Sequence, residues 1–247
     1  MTIHGLPDGV RNGLPDDVRA VSIPEVWADR ERLLQPFSAA ERATFEGFKV
    51  DKRKQDWLAG RVVAKYAVER ATGLPISRIE IRVDTVGPTR GRPYAAIRDK
   101  DTILGVLSIT HAGWIAAATF SSLPVGLDLE LVIPRDESFE QLAFLPEERS
   151  AWSHLMGNAR DLAVTRAWCF KEAIAKWRGS GLTVPFDELL LREDPSILVS
   201  DGRLVDGEAV YCWARINGPI PKQPSQSGTA DLPRPRAPSS RPENYAR

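Results

Sequence analysis

The sequence predicts an α/β (α+β) fold made of two similar halves about a pseudo-two-fold axis, with a ligand cleft between them. Three observations carry this reading. Short apolar stretches with strand character, such as TILGVLSIT, AAATFSS and VGLDLELV, are interleaved with long amphipathic segments. PFSAAERATF (36–45) is echoed by AFLPEERSAW (143–152), which sets Phe37 against Phe144, Glu41 against Glu148 and Arg42 against Arg149. RVVAKY (61–66) is echoed by EAIAKW (172–177), which sets Lys65 against Lys176 and Arg61 against Glu172. A cleft between duplicated halves is the default place for a ligand.

Taken in order, GLPDGVRN and GLPDDVRA repeat turn residues and read as a flexible leader over 1–17, ahead of a first strand near VRAVSI. Helices are expected over 39–49 and 55–72, the second stopped by Gly73 and Pro75. IEIRV follows as a strand, and residues 18–105 form the first half. The second half, 106–217, opens on the three apolar strands. It continues with helices over 146–156, opened by a proline, and 159–178, capped by Asn158. ELLLR reads as a further strand. Residues 218–247 contain seven prolines among Ser, Gln and Arg and read as a disordered tail unable to bury a core.

Composition narrows the function. Lys plus Arg and Asp plus Glu both number 33 in 247 residues, so net charge gives no pull toward nucleic acid or a membrane surface. No apolar run reaches transmembrane length, and the first residues lack the basic and apolar regions of a secretory signal. Two cysteines, Cys169 and Cys212, make no disulfide framework or zinc motif. A cytoplasmic protein is expected.

VGLDLELV poses the chemical question. Asp128 and Glu130, two residues apart in a strand, point to one face, where two carboxylates repel unless a positive group lies between them. A hard divalent cation would serve, and so would exposure of one polar edge. In RAWCFKEAIAKWRGSG, an apolar stripe of Ala163, Ala167, Phe170, Ile174 and Trp177 marks the packed face of a helix. Glu172 and Lys176 fall at i, i+4 on another face. Three carboxylates with Lys171 and Lys176 suit magnesium holding a phosphorylated substrate, although the Glu172–Lys176 spacing is equally that of an ordinary surface pair.

Several motifs in order resemble those of the Sfp-type 4'-phosphopantetheinyl transferases. VGLDLE resembles their (V/I)G(V/I)D-x-E signature and WCFKEAIAK their (W/F)(S/C/T)-x-KE-(A/S)-xx-K signature. SITHAGW (108–114) is similar to their SHSGxW segment, GRP (91–93) to their GKP, and AGR (59–61) to their AGR helix. The likeness covers residues 20 to 215. It implies a monomer that uses coenzyme A and Mg2+ and modifies a serine of an apo acyl or peptidyl carrier protein, releasing 3',5'-ADP. By position, it implies Asp128, Glu130 and Glu172 as metal ligands. Lys171 and Lys176 would contact phosphates, and Glu148 would be the candidate general base. Thr110, His111, Arg53, Arg61 and Arg92 would bind coenzyme A. Thr110 and Ala112 stand where the family often has serines, and Arg92 where it has lysine. Two other readings compete: a magnesium-dependent nuclease, and a carrier-protein-binding homologue without activity.

Overall fold

The computed structural model describes residues 13–181, 184–186, 189, 196–206 and 209–220. Its first half begins with β1 (Val18–Ser22) and two short helices, α1 (Ile23–Ala28) and α2 (Arg30–Leu34). Helix α3 (Ala39–Gly47) follows, and then the 22-residue α4 (Asp51–Thr72). Strands β2 (Ile79–Val83), β3 (Pro93–Ile97), β4 (Ile103–Ala112) and β5 (Ile115–Ser121) complete an antiparallel sheet in the order β1-β5-β4-β3-β2. Helix α4 covers this sheet, and Leu58, Val62, Val63, Val68, Ile79, Ile81, Leu107, Ala116 and Ala118 form the core between them.

The second half has the same ingredients. Strand β6 (Val125–Leu131) leads to α5 (Glu137–Ala143), α6 (Pro146–Ser150) and the 22-residue α7 (Gly157–Arg178). Strands β7 (Leu198–Asp206) and β8 (Ala209–Asn217) then close a three-stranded antiparallel sheet in the order β6-β8-β7. Helix α7 packs on this sheet through Cys169, Ala173, Ile174, Trp177, Cys212, Ala214 and Ile216. The mixed helix-and-sheet class expected from the sequence is what the chain adopts.

Several boundaries differ from expectation for local reasons. Helix α4 starts at Asp51, so the basic run Lys52-Arg53-Lys54 forms its first turn, with Lys52 paired to Asp56 at 2.5 Å. Helix α6 ends at Ser150 because Trp152 turns inward against Phe144 and donates from Nε1 to Glu140 at 2.9 Å. Asn158 is not a cap. Met156 holds the N-cap position of α7 without a side-chain bond, and Gly157 takes φ 54°. The buried arc of α7 is wider than the expected stripe: Val164, Thr165, Trp168, Cys169 and Lys171 are buried, while Ala163, Ala167 and Phe170 are half-buried. Most of ELLLR, the greater part of the leader and all but three residues of the Pro-rich segment lie outside the described residues.

Some local environments recur along the chain. Glu41, at the third position of α3, closes a capping box with Ser38, and Glu148, at the third position of α6, accepts from the amide of Leu145 at 2.8 Å. Glu41 accepts from Lys65 Nζ at 3.0 Å, while Glu148 accepts from Lys171 Nζ at 2.8 Å. Each lysine also donates to a backbone carbonyl, of Ile79 or Phe186, and lies over a phenylalanine ring, Phe37 or Phe144. Helices α4 and α7 both end at a glycine in the left-handed region, Gly73 and Gly179. Lys65 thus shares its surroundings with Lys171.

Candidate active site

The site is built where β6 meets α7. Gly126, Asp128 and Glu130 alternate onto the face of β6 that meets the helix. Gly126 lets the helix come close: a Cβ there would lie 1.9 Å from Ala173 O and 2.6 Å from Trp177 N. That backbone contact sets Trp168, Glu172 and Lys176 over the two acids. Lys176 Nζ donates to Asp128 Oδ1 at 2.6 Å, and Trp168 Nε1 donates to Glu130 Oε1 at 3.1 Å. Arg135, just beyond the strand, pairs with Glu130 Oε2 at 3.1 Å.

On its other side β6 meets β4 without a backbone ladder. Ser108 Oγ accepts from Leu127 N at 2.8 Å, and Thr110 Oγ1 accepts from Leu129 N at 3.1 Å. The two hydroxyls satisfy amides on the free edge of β6, because β4 already bonds β3 and β5. Thr110 also donates to Asp128 Oδ1 at 3.0 Å. Asp128 Oδ2 is buried without a hydrogen-bond partner.

Charge accumulates in this row. Burial, with Asp128 adding to it, raises the Glu130 pKa above the ordinary carboxylate range, against Arg135 and Trp168. Burial pushes Glu172 up to about 7; the Lys176 ammonium opposes the shift, while Asp128 and Glu130 add to it. Burial works against a charged Lys176, but Asp128 and Glu172 outweigh it and hold the ammonium's pKa up. Burial first and Asp128 second keep the Cys169 thiol well above its usual value, so it stays neutral beneath the row.

A cleft of about 180 Å3 opens beside Lys176, lined by Arg90, Gly91, Arg92 and Pro93, by Leu107, Ser108 and Ile109 of β4, and by Gly179 and Gly181 past the end of α7. Ile109 and His111 alternate onto the opposite face of β4 from Ser108 and Thr110. Gly60 of α4 packs there, and a Cβ on it would lie 2.8 Å from His111 Nε2 and 3.1 Å from Ile109 Cγ2. His111 Nε2–H donates to Asp56 O at 2.8 Å, since a carbonyl can only accept. Burial of the ring lowers its pKa, against the bond to Asp56, and the charges of Lys176 and Lys52 push the same way as burial.

The expected residues other than His111 fall into four groups. Asp128, Glu130, Glu172, Lys176 and Thr110 come together at the β6–α7 contact. Arg92 lines the cleft next to Lys176. Arg53 and Arg61 lie on α4, where Arg53 stacks on Phe48 and Arg61 on Trp57, 5.2 Å from the ring centroid. The Arg61 Nε is buried with no hydrogen-bond partner. Glu148 and Lys171 do not join the acidic row; they bond each other. Trp168 and Arg135 were not anticipated. Trp168 could have been, since it stands one helical turn before Glu172.

The donor set fits a hard divalent cation in its chemistry: three carboxylates, of which Glu130 and Glu172 have their proton affinity raised by burial and by Asp128, and a buried Asp128 oxygen without a partner. Among the described residues, no three Asp, Glu, His or Cys side chains converge as a finished coordination group. Lys176 and Arg135 hold the approaches to Asp128 and Glu130 instead. Also among those residues, no helix is long and apolar enough to cross a membrane.

An acidic row under a lysine-bearing helix, beside a cleft walled by arginines, defines an α/β protein equipped to hold a phosphorylated ligand. Residues 124–217, which carry that row, match the model of the 4'-phosphopantetheinyl transferase superfamily. The resemblance read in the motifs is borne out. The chain is 26% identical over 166 residues to a 4'-phosphopantetheinyl transferase of Bacillus subtilis, covering 66% of this chain and 70% of that one. It is 26% identical over 184 residues to the 4'-phosphopantetheinyl transferase psf-1 of Bacillus pumilus, covering 71% and 72%.

Proposed function

We propose that this chain transfers the 4'-phosphopantetheine arm of coenzyme A to a serine of an apo acyl or peptidyl carrier protein. The observation that carries the reading is the Asp128–Glu130 row set under Glu172 and Lys176 at the mouth of the Arg92-lined cleft. Coenzyme A lies between the halves, its diphosphate at Lys176 and its nucleotide end toward α4, where Arg61 and Arg53 offer cations. Thr110 faces the acids from β4, and His111, on the opposite face of that strand, faces α4. The carrier serine oxygen forms a bond to the β-phosphorus as the bond from that phosphorus to the bridging oxygen breaks. The electron pair leaves with 3',5'-ADP.

Lys176 carries the electrostatic part, since an ammonium beside the diphosphate offsets charge growing on the leaving group. Magnesium, when bound, would be held by Asp128, Glu130 and Glu172 and would draw charge from the diphosphate oxygens. Burial raises the proton affinity of Glu130 and of Glu172, the latter to about 7 in the metal-free protein, and the serine proton leaves to this acidic row. Glu148 serves its helix cap and Lys171, and Lys171 serves Glu148 and Phe186 O. Every residue invoked sits on one chain, so a monomer suffices.

The test combines the purified protein with coenzyme A, magnesium and a panel of apo carrier proteins from fatty-acid, polyketide, nonribosomal-peptide and lysine pathways, followed by intact-mass measurement. Gain of one phosphopantetheine on at least one carrier is expected. No gain on any carrier would sink the proposal.

A further inference from the structure

The guanidinium of Arg92, at the edge of the cleft, reaches to α7. Its Nη2 donates to Trp177 O, in the last turn of the helix. The amides of Gly179 and Ser180 bond back to Lys176 O at 3.1 Å and Ala175 O at 3.2 Å. Arg92 thus takes up a carbonyl at the helix terminus, where backbone acceptors run out of amides and the dipole favours a cation. Gly179 leaves the room for it: a Cβ there would lie 2.6 Å from both Cζ and Nη2 of Arg92. Burial lowers the guanidinium's pKa and the Asp84 carboxylate opposes it, but arginine stays charged.

This contact spans the molecule. Arg92 belongs to the loop before β3 and Trp177 to α7, and Arg92 lines the cleft together with Lys176, the residue before Trp177. We infer that Arg92 is a positioning residue, a clasp between the loop 84–93 and the end of α7 that sets the width of the cleft at Lys176. It acts on the ligand through α7 and not by binding phosphate itself. The loop is itself braced for this, with Asp84 N bonded to Arg92 O at 3.0 Å and Gly91 N to Asp84 O at 2.8 Å.

The inference rests on the transferase reading for its ligand, and the experiment separates the two. Coenzyme A affinity is measured by calorimetry for the wild type, Arg92→Ala, Gly179→Ala and the double variant, with hydrogen exchange followed in each. As a clasp, either single change removes the same contact. Each is expected to weaken coenzyme A about tenfold, and the double variant no more than either alone, because contacting residues are non-additive. Exchange in residues 176–180 should rise in all three variants. A hundredfold loss in the double variant, or weakened binding by Arg92→Ala with Gly179→Ala unchanged, would overturn the clasp in favour of direct contact. If the wild type binds no coenzyme A, the transferase reading fails; the clasp then stands or falls on exchange alone, with unchanged protection of residues 176–180 in Arg92→Ala refuting it. Backbone strain from Gly179→Ala, which places a side chain at φ 75°, is present in both Gly179→Ala proteins and cancels in the comparison.

Discussion

Thr110 Oγ1 stands 3.0 Å from Asp128 Oδ1 and 3.1 Å from the amide of Leu129, so one hydroxyl both seals the edge of β6 and steers the first acid of the site. Thr110→Val keeps the shape but leaves a buried amide without an acceptor. It should cost about 1–3 kcal/mol, read as a shift in the urea midpoint with an unchanged slope. A neutral result would show that the amide finds another acceptor.

Asp128→Ala removes the residue on which Thr110 and Lys176 converge. Transfer to a responsive carrier should drop at least about a hundredfold, the scale for losing one electrostatic group in an active site. The far-ultraviolet circular dichroism should be unchanged. Wild-type turnover would exclude the strand acids from the chemistry.

Glu172 gives the metal-free protein a pH signature. Its folded-state value of about 7 stands above the ordinary 4.5, so between these limits the folded chain keeps a proton that the unfolded chain has released. Its contribution to stability therefore falls as pH rises through that window and levels off above it. Glu172→Gln removes this slope. Melting temperatures of variant and wild type, measured in a chelator, should diverge in the variant's favour from pH 4.5 to 7. Parallel curves would contradict the burial and charge assigned to this side chain.

Gly126→Ala places a methyl group inside the backbone of α7, 1.9 Å from Ala173 O. Helix and strand must separate, at a cost of at least about 3 kcal/mol. The soluble yield and the denaturant midpoint should both fall. A variant of normal stability would mean that the helix does not seat on β6 at this point.

Lys171→Met strands Glu148 and deletes a buried ion pair, which should lower stability by about 3 kcal/mol. Glu148→Gln, which keeps the cap geometry, should leave kcat within a few-fold of wild type. A hundredfold fall in kcat at an unchanged melting temperature would return Glu148 to the role of base.

The acidic row was legible because strand alternation is rigid: Asp128 and Glu130 share a face in any β-strand, and Glu172 and Lys176 share one in any helix. What the spacing did not reveal is which partner each charge takes. Lys176 is an ordinary i, i+4 neighbour of Glu172 along the chain, yet it reaches across to Asp128. Lys171 and Glu148 are 23 residues apart and meet only because α6 docks beside α7. RVVAKY and EAIAKW match in letters, whereas it is Lys65 and Lys171 that are both buried beside a glutamate, which the letters did not reveal. The join between the sheets was hidden altogether, because Ser108 and Thr110 look like the polar face of any strand.

The seating of Gly126 beneath Ala173 and Trp177 has a mechanical consequence. At this one point no side chain separates helix from strand, so the distance between the acids and Lys176 is gauged by main chain against main chain. A side chain at position 126 would carry Lys176 away from Asp128.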